Sequence, residues 1–100
     1  MEKKYELVKD DRIIIGSSWL YRIRALKHIQ VSANEYMANI EPGDLGGYVE
    51  SEENLSHEGT CWVNDDAKVY GKAFVYENAC IEGNASVFGY VKSIWKRFYR

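Results

Sequence analysis

The sequence predicts an all-β protein whose main body, from about Gly43 to Ile94, is a short parallel β-helix of about three turns. Three observations predict it. Written in sixes from Gly59, the chain reads GTCWVN, DDAKVY, GKAFVY, ENACIE, GNASVF, GYVKSI. The third position holds Cys61, Ala67, Ala73, Ala79, Ala85 and Val91, and the fifth holds Val63, Val69, Val75, Ile81, Val87 and Ser93. Positions six, one and two carry Tyr, Gly, Asn, Lys, Asp and Glu, the residues of a corner.

Extended backwards, Val49 and Leu55 keep the first column and Leu45 the second, which Ser51, His57 and Ser93 interrupt. Positions three and five lie two apart, so an extended backbone points both side chains to one side. The residues between successive pairs then turn the chain. Gly71, Gly83 and Gly89 supply backbone freedom there, and Asp66, Asn78 and Asn84 tolerate a left-handed conformation. Three bends close a triangle and stack residues three hexads apart, with strands pairing in parallel. Val69 should therefore lie under Val87, Val63 under Ile81, and Tyr70 beside Phe88 on the outside. Cys61 should point inward and Cys80 outward, unbonded. A six-residue period of β-branched residues matches no helical face.

Residues 1–42 read as an N-terminal β-hairpin or small sheet. KYELVK (4–9) and WLYRIRAL (19–26) are strand-like, IIIGSS lies between them, and Gly16-Ser17-Ser18 is a turn. Residues 31–42 carry no pattern, and EPGDLGG (41–47) turns into the first hexads. Residues 95–100 read as a basic aromatic tail, and Ile94 with Trp95, Phe98 and Tyr99 would make the apolar side of a short amphipathic helix. Such a helix would cap the end of the coil, because a solenoid needs its ends covered.

At the level of family, the hexads resemble the hexapeptide repeat of left-handed β-helices. LYRIRALKHI (20–29), GDLGGYVESEENLSHEGTCWV (43–63) and the following AKVYGKAFVY look like phage and prophage hexapeptide-repeat proteins related to the YdcK-like putative transferases. The resemblance covers about four fifths of the chain, GDLGGYVESEENLS being its most specific part. It implies a left-handed coil. The chain departs from the family in length, since relatives continue for many more coils.

Composition narrows the function. The N-terminus lacks the apolar core of a leader and no stretch is long enough to span a bilayer, so a cytoplasmic protein is expected, and the phage-type resemblance implies that the cytoplasm is that of a bacterial host. Cys61 and Cys80 have no metal-ligand spacing, and neither metal nor cofactor is expected. The net charge of −2 is segregated. Residues 1–30 carry seven Lys/Arg against four acids, residues 31–90 two against eleven, and residues 91–100 four against none. Such asymmetry marks partner surfaces or oligomer contacts, or else charges scattered over a solvated surface.

Three functions follow. Hexapeptide coils of the resembled kind often transfer acyl groups from coenzyme A with a His general base, for which His57 and His28 are available. However, no inserted loop interrupts the hexads, and His57 falls in an inward column. Glu50, Glu52 and Glu53 read as solvation of the first coil rather than an acid/base pair. A nucleic-acid binder would use the tail, Trp95, Lys96, Arg97, Phe98, Tyr99 and Arg100, with Arg22, Arg24 and Lys27. Against it stand the acidic middle and a sequence pI near 5.7.

The favoured reading is a non-enzymatic protein-binding module. Its surface would comprise Asp65, Asp66, Glu77 and Glu82 with Trp62, Tyr70, Phe74, Tyr76 and Phe88. Half of these aromatics would stack on one another and only stabilise the coil. The partner would be a host or phage protein with a basic surface. The phage-type resemblance implies an inhibitor of host defence or of a nucleic-acid-handling complex, in the manner of an anti-CRISPR protein, acting by occlusion. So short a coil leaves open parallel edges, which predicts a homo-oligomer, preferentially a dimer.

Overall fold

The computed structural model describes residues 2–30 and 39–89, together with the backbone of residues 98–99. The fold is all-β: a mixed five-stranded sheet and two smaller sheets. Its strands are β1 (Tyr5–Ile15), β2 (Ser18–Ala25), β3 (Ile29–Gln30), β4 (Asn39–Ile40), β5 (Leu45–Val49), β6 (Trp62–Val63), β7 (Lys68–Val69), β8 (Cys80–Glu82), β9 (Ser86–Val87) and β10 (Phe98–Tyr99). The large sheet runs β1-β2-β5-β7-β9, the second β10-β8-β6, and the third is the pair β3-β4.

The hairpin forms because β-branched and aromatic residues fill both of its arms. Gly16, at φ 61, turns the chain. Ile13–Ile15 continue β1, pairing with Ser18–Leu20, rather than forming a third strand. The register slips between Val8 and Arg12, where the charged run Lys9-Asp10-Asp11 is looped out of the ladder.

β5 joins the hairpin to the hexads. It pairs antiparallel with β2 and parallel with β7. Its paired glycines explain the GDLGG motif. A Cβ on Gly46 would lie 2.5 Å from the Val63 carbonyl oxygen, and one on Gly47 would lie 2.5 Å from that of Ala67. No other residue type permits this approach.

From β5 onward the chain visits three parallel ladders in turn. Val49 pairs with Val69 and Val69 with Val87; Leu55 bridges Val75; Val63 pairs with Ile81. Both stacking pairs expected from the repeat, Val69 with Val87 and Val63 with Ile81, are therefore neighbours. The alternation holds as well. Val63, Val69, Val75, Ile81 and Val87 are buried, as are Cys61, Ala67, Ala73, Ala79 and Ala85.

Two expectations about the first pass are corrected. Spacing is eighteen between Val63 and Ile81, but twenty between Val49 and Val69 and between Leu55 and Val75. Two additional residues therefore fall between Leu55 and Trp62, so the hexads are interrupted there. Val49 and Leu55 align with the valine column, not the alanine column. Ser51 and His57 belong to neither inward column, and Leu45, which sits ahead of the repeat opposite Arg24, is 53% exposed. In this pass Gly47 occupies the alanine column, and Asn54 is buried beside Leu55. Asn54 Oδ1 accepts the Glu50 and Ser51 N–H groups, and its Nδ2 donates to the carbonyls of Gly71 and Ala73.

The corners are also regular. Gly59, Asp65, Gly71, Glu77, Gly83 and Gly89, six apart throughout, all have positive φ. The left-handed residue is thus the first of each hexad. Asp66, Asn78 and Asn84 stand one position too late and are not left-handed.

The expected tail helix is replaced at residues 98–99 by β10, which pairs in parallel with Ile81–Glu82. A strand edge on β8 is available there, and pairing satisfies its backbone groups. The remainder of the tail, including Trp95, Lys96, Arg97 and Arg100, lies outside the described residues, as do the column positions Val91 and Ser93.

Candidate functional site

The face carrying the Leu55–Val75 bridge gathers acids and aromatics. Two open grooves cross it, one lined by Glu50, Ser51, Glu53, Gly71, Lys72 and Ala73, the other by Ser56, Glu58, Gly59, Phe74, Tyr76 and Glu77. Phe74 and Tyr76 alternate outward from the buried Ala73 and Val75, so their rings lie side by side, 5.6 Å apart and nearly parallel. Glu53, Glu58 and Glu77 are exposed. Glu50 is partly engaged, since its Oε1 accepts the Gly71 N–H at 2.8 Å. The carboxylates Glu50 and Glu53, expected only to solvate the first hexads, therefore join Phe74, Tyr76 and Glu77 on one surface. Glu58 was not singled out from the sequence, because its proximity to Glu77 depends on the two additional residues.

The other expected contact residues are distributed elsewhere. Tyr70 stacks on Phe88 at 5.0 Å, as the spacing predicts, and Phe88 remains 56% exposed. Asp65 and Asp66 serve their corner. Asp65 Oδ2 accepts the Gly83 N–H at 3.0 Å, and Asp66 faces Arg22 at 3.6 Å. Trp62 and Glu82 contribute no contact surface, being 0% and 3% exposed, and Cys80 is likewise buried. Outward positions are exposed only where nothing lies over them, and the outer side of β6 and β8 is covered. Among the described residues the indole N–H of Trp62 has no hydrogen-bond partner.

The basic residues of the hairpin are also engaged. Arg22 donates to the Gly46 and Asp65 carbonyls and to the Tyr48 hydroxyl, and it lies over the Tyr48 ring. Arg24 pairs with Glu6 and Lys27 with Glu2. These cations bind the molecule to itself. A separate apolar patch, missed in the sequence, sits near the hairpin tip, where Ile14 and Trp19 are opposite one another and 53% and 46% exposed. The run IIIGSSW was its available signal.

His57 leaves the inward column and stacks on Tyr5, ring centroids 4.2 Å apart. Its Nδ1 accepts the Lys4 backbone N–H at 3.0 Å, which places the ring proton on Nε2, 2.7 Å from Glu52 Oε1. Both nitrogens are thus committed to holding the N-terminal segment. His28, near Glu41 at 3.8 Å, stands apart.

The His57 hydrogen bond holds the Glu52 carboxyl below its ordinary value, helped by Lys3. A carboxyl depressed by folding stabilises the protein above its ordinary range and loses that contribution as pH falls through the folded value. Glu52→Gln should therefore lower the melting temperature at neutral pH, and the gap from the parent should close on acidification. A gap independent of pH would contradict this linkage.

Among the described residues no group of three or more His, Cys, Asp or Glu could hold a metal ion. No helix among them is long and apolar enough to cross a membrane. Compared with family models, with curated proteins and with solved structures, the chain finds no match.

Proposed function

We propose that residues 43–94 form a short left-handed β-helix serving as a rigid, non-catalytic protein-binding module. Its contact surface is the face of Phe74, Tyr76, Glu53, Glu58 and Glu77. The coil reading is supported by the cyclic visit to three ladders and by the left-handed residue every six positions. The left hand comes from the resemblance to hexapeptide-repeat proteins.

One observation carries the binding reading: two half-buried aromatic rings presented beside exposed carboxylates, which form no ion pair among the described residues. Aromatic side chains supply contact area, and uncompensated acids steer encounter toward a basic surface. The partner is accordingly a protein with a basic, nucleic-acid-binding groove. The phage-type resemblance makes occlusion of a host defence or nucleic-acid-handling complex the biological setting.

The test is capture of such partners from a bacterial host lysate by the parent chain and by a Glu58→Lys, Glu77→Lys double variant. Both substitutions lie on exposed side chains, whereas reversal at Glu82 would bury a charge and reversal at Asp65 would break a corner. Basic, nucleic-acid-binding proteins should be enriched with the parent. Capture should fall by about tenfold in the folded variant, the equivalent of roughly 1.4 kcal/mol. Equal capture by both proteins would remove this face from the interface.

A further inference from the structure

Lys4 is the most unusual ionisable group among the described residues. Its side chain is fully buried, and its Nζ lies 2.7 Å from the Cys61 carbonyl oxygen, 3.5 Å from that of Gly59 and 3.2 Å from Cys61 Sγ. Cys61 is itself fully buried, its thiol turned among the carbonyls of Ser56, Glu58 and Val75. Neither group is needed by the proposed binding face. An amine and a thiol are thus held in contact with each other inside the fold, fixed from two sides.

We propose that Lys4 and Cys61 form a covalent crosslink through a single oxygen atom, Nζ–O–Sγ, when the protein meets a peroxide. The first peroxide oxidises the thiol: the S–H bond breaks, an S–O bond forms, and sulfenic acid and one water result. The second oxidises the pair. One N–H and the sulfenic O–H break, the N–O bond forms, and two waters leave, so that two peroxides yield three waters in all. The amine must be neutral to use its lone pair, and burial, which lowers the Lys4 pKa, favours that form; the same burial pushes the Cys61 thiol up, and the adjacent Lys4 acts against that shift. An inserted oxygen spans the 3.2 Å gap with less movement than a direct N–S bond would require.

The bond would join residues 57 positions apart, stapling the segment ahead of β1 to the interruption that follows Leu55. Crosslinking such a loop restricts the unfolded chain.

The test treats the purified full chain with hydrogen peroxide and follows intact mass, peptide maps and thermal unfolding. The expected product is heavier by about 14 Da, one oxygen in and two hydrogens out, and dithiothreitol restores the original mass. Peptides containing Lys4 and Cys61 should be linked, and the melting temperature should rise by roughly 5–10 °C. Cys80→Ser should retain the product; Lys4→Arg and Cys61→Ser should lose it. Gains of only about 16 or 32 Da on Cys61, with Lys4 unmodified, would overturn the proposal. So would a loss of about 2 Da, the signature of a disulfide or a direct N–S bond. The unaltered chain decides the matter, so a variant that fails to fold does not blunt the test.

Discussion

Replacing Gly47 by alanine should lower stability by about 3 kcal/mol, although it adds only one methyl group. The added Cβ would stand 2.5 Å from the Ala67 carbonyl oxygen and 2.7 Å from Val63 Cγ1. The first of these is backbone and cannot rotate away. Relief requires β5 to move off β7, yet the Tyr48 N–H donates to that same Ala67 carbonyl at 2.9 Å. The smaller conformational entropy of unfolded alanine returns only about 0.5 kcal/mol. Against a total stability of roughly 5–15 kcal/mol for a domain of this kind, the loss is severe. Thermal unfolding measures it, and a drop of roughly 15 °C is expected. Gly16→Ala provides the comparison. There the Cβ meets nothing within 4 Å, and only its left-handed φ of 61 costs anything, about 1 kcal/mol. If the two variants melted together, close approach at Gly47 would not be the reason for that glycine.

Gly47 also shows where sequence reading stops. The motif GDLGG stands out as a string, but its cause is the carbonyl of Ala67, twenty residues on, and no local pattern reveals a backbone that arrives from elsewhere. The inward columns were legible because alternation within a strand is a local consequence of the pleat. From Cys61 to Val87 both columns are buried without exception. The same reasoning misassigned Val49 and Leu55, because a column extrapolated at constant spacing passes unnoticed through two additional residues. Corner residues were read by composition, which selected Asn78 and Asn84. The fold instead requires a left-handed residue at the head of the hexad and places Glu77 there at φ 59.

For the candidate site, the sequence supplied Phe74, Tyr76 and Glu77 together, since Glu77 opens the hexad that directly follows the one holding the two rings. It could not supply Glu58, brought beside them by the shifted register, nor exclude Trp62 and Glu82. Exposure of an outward residue depends on what is folded over it, and that is tertiary information. His57 illustrates the same limit. As a lone histidine it resembled a general base, yet its ring clamps the N-terminal segment from both nitrogens. That clamp, the buried Lys4 and the Arg22 contacts to Gly46 and Asp65 tie the hairpin to the hexads. A short parallel stack has few interior residues, and burying its first pass under a hairpin compensates for that scarcity.

Placing a carboxylate on either side of the strand plane tests the alternation on which the inward and outward assignments depend. Val69 is fully buried in the middle of its ladder, between Val49 and Val87. Val69→Asp should cost about 4 kcal/mol or more, since the carboxylate can neither reach water nor find a cation in that column. Ser86 belongs to the neighbouring strand β9, where it is exposed and pairs with Lys68. An aspartate there meets a cation in solvent, so Ser86→Asp should shift stability by no more than about 0.5 kcal/mol. Urea unfolding measures both, with the slope reporting any change in the surface exposed. Val87, one residue from Ser86, faces the column, so the opposed outcomes expected at Val69 and Ser86 turn on which side of the pleat a side chain occupies. Comparable losses at the two positions would mean that both sides of these strands are buried alike, and the hexad alternation would no longer describe the interior.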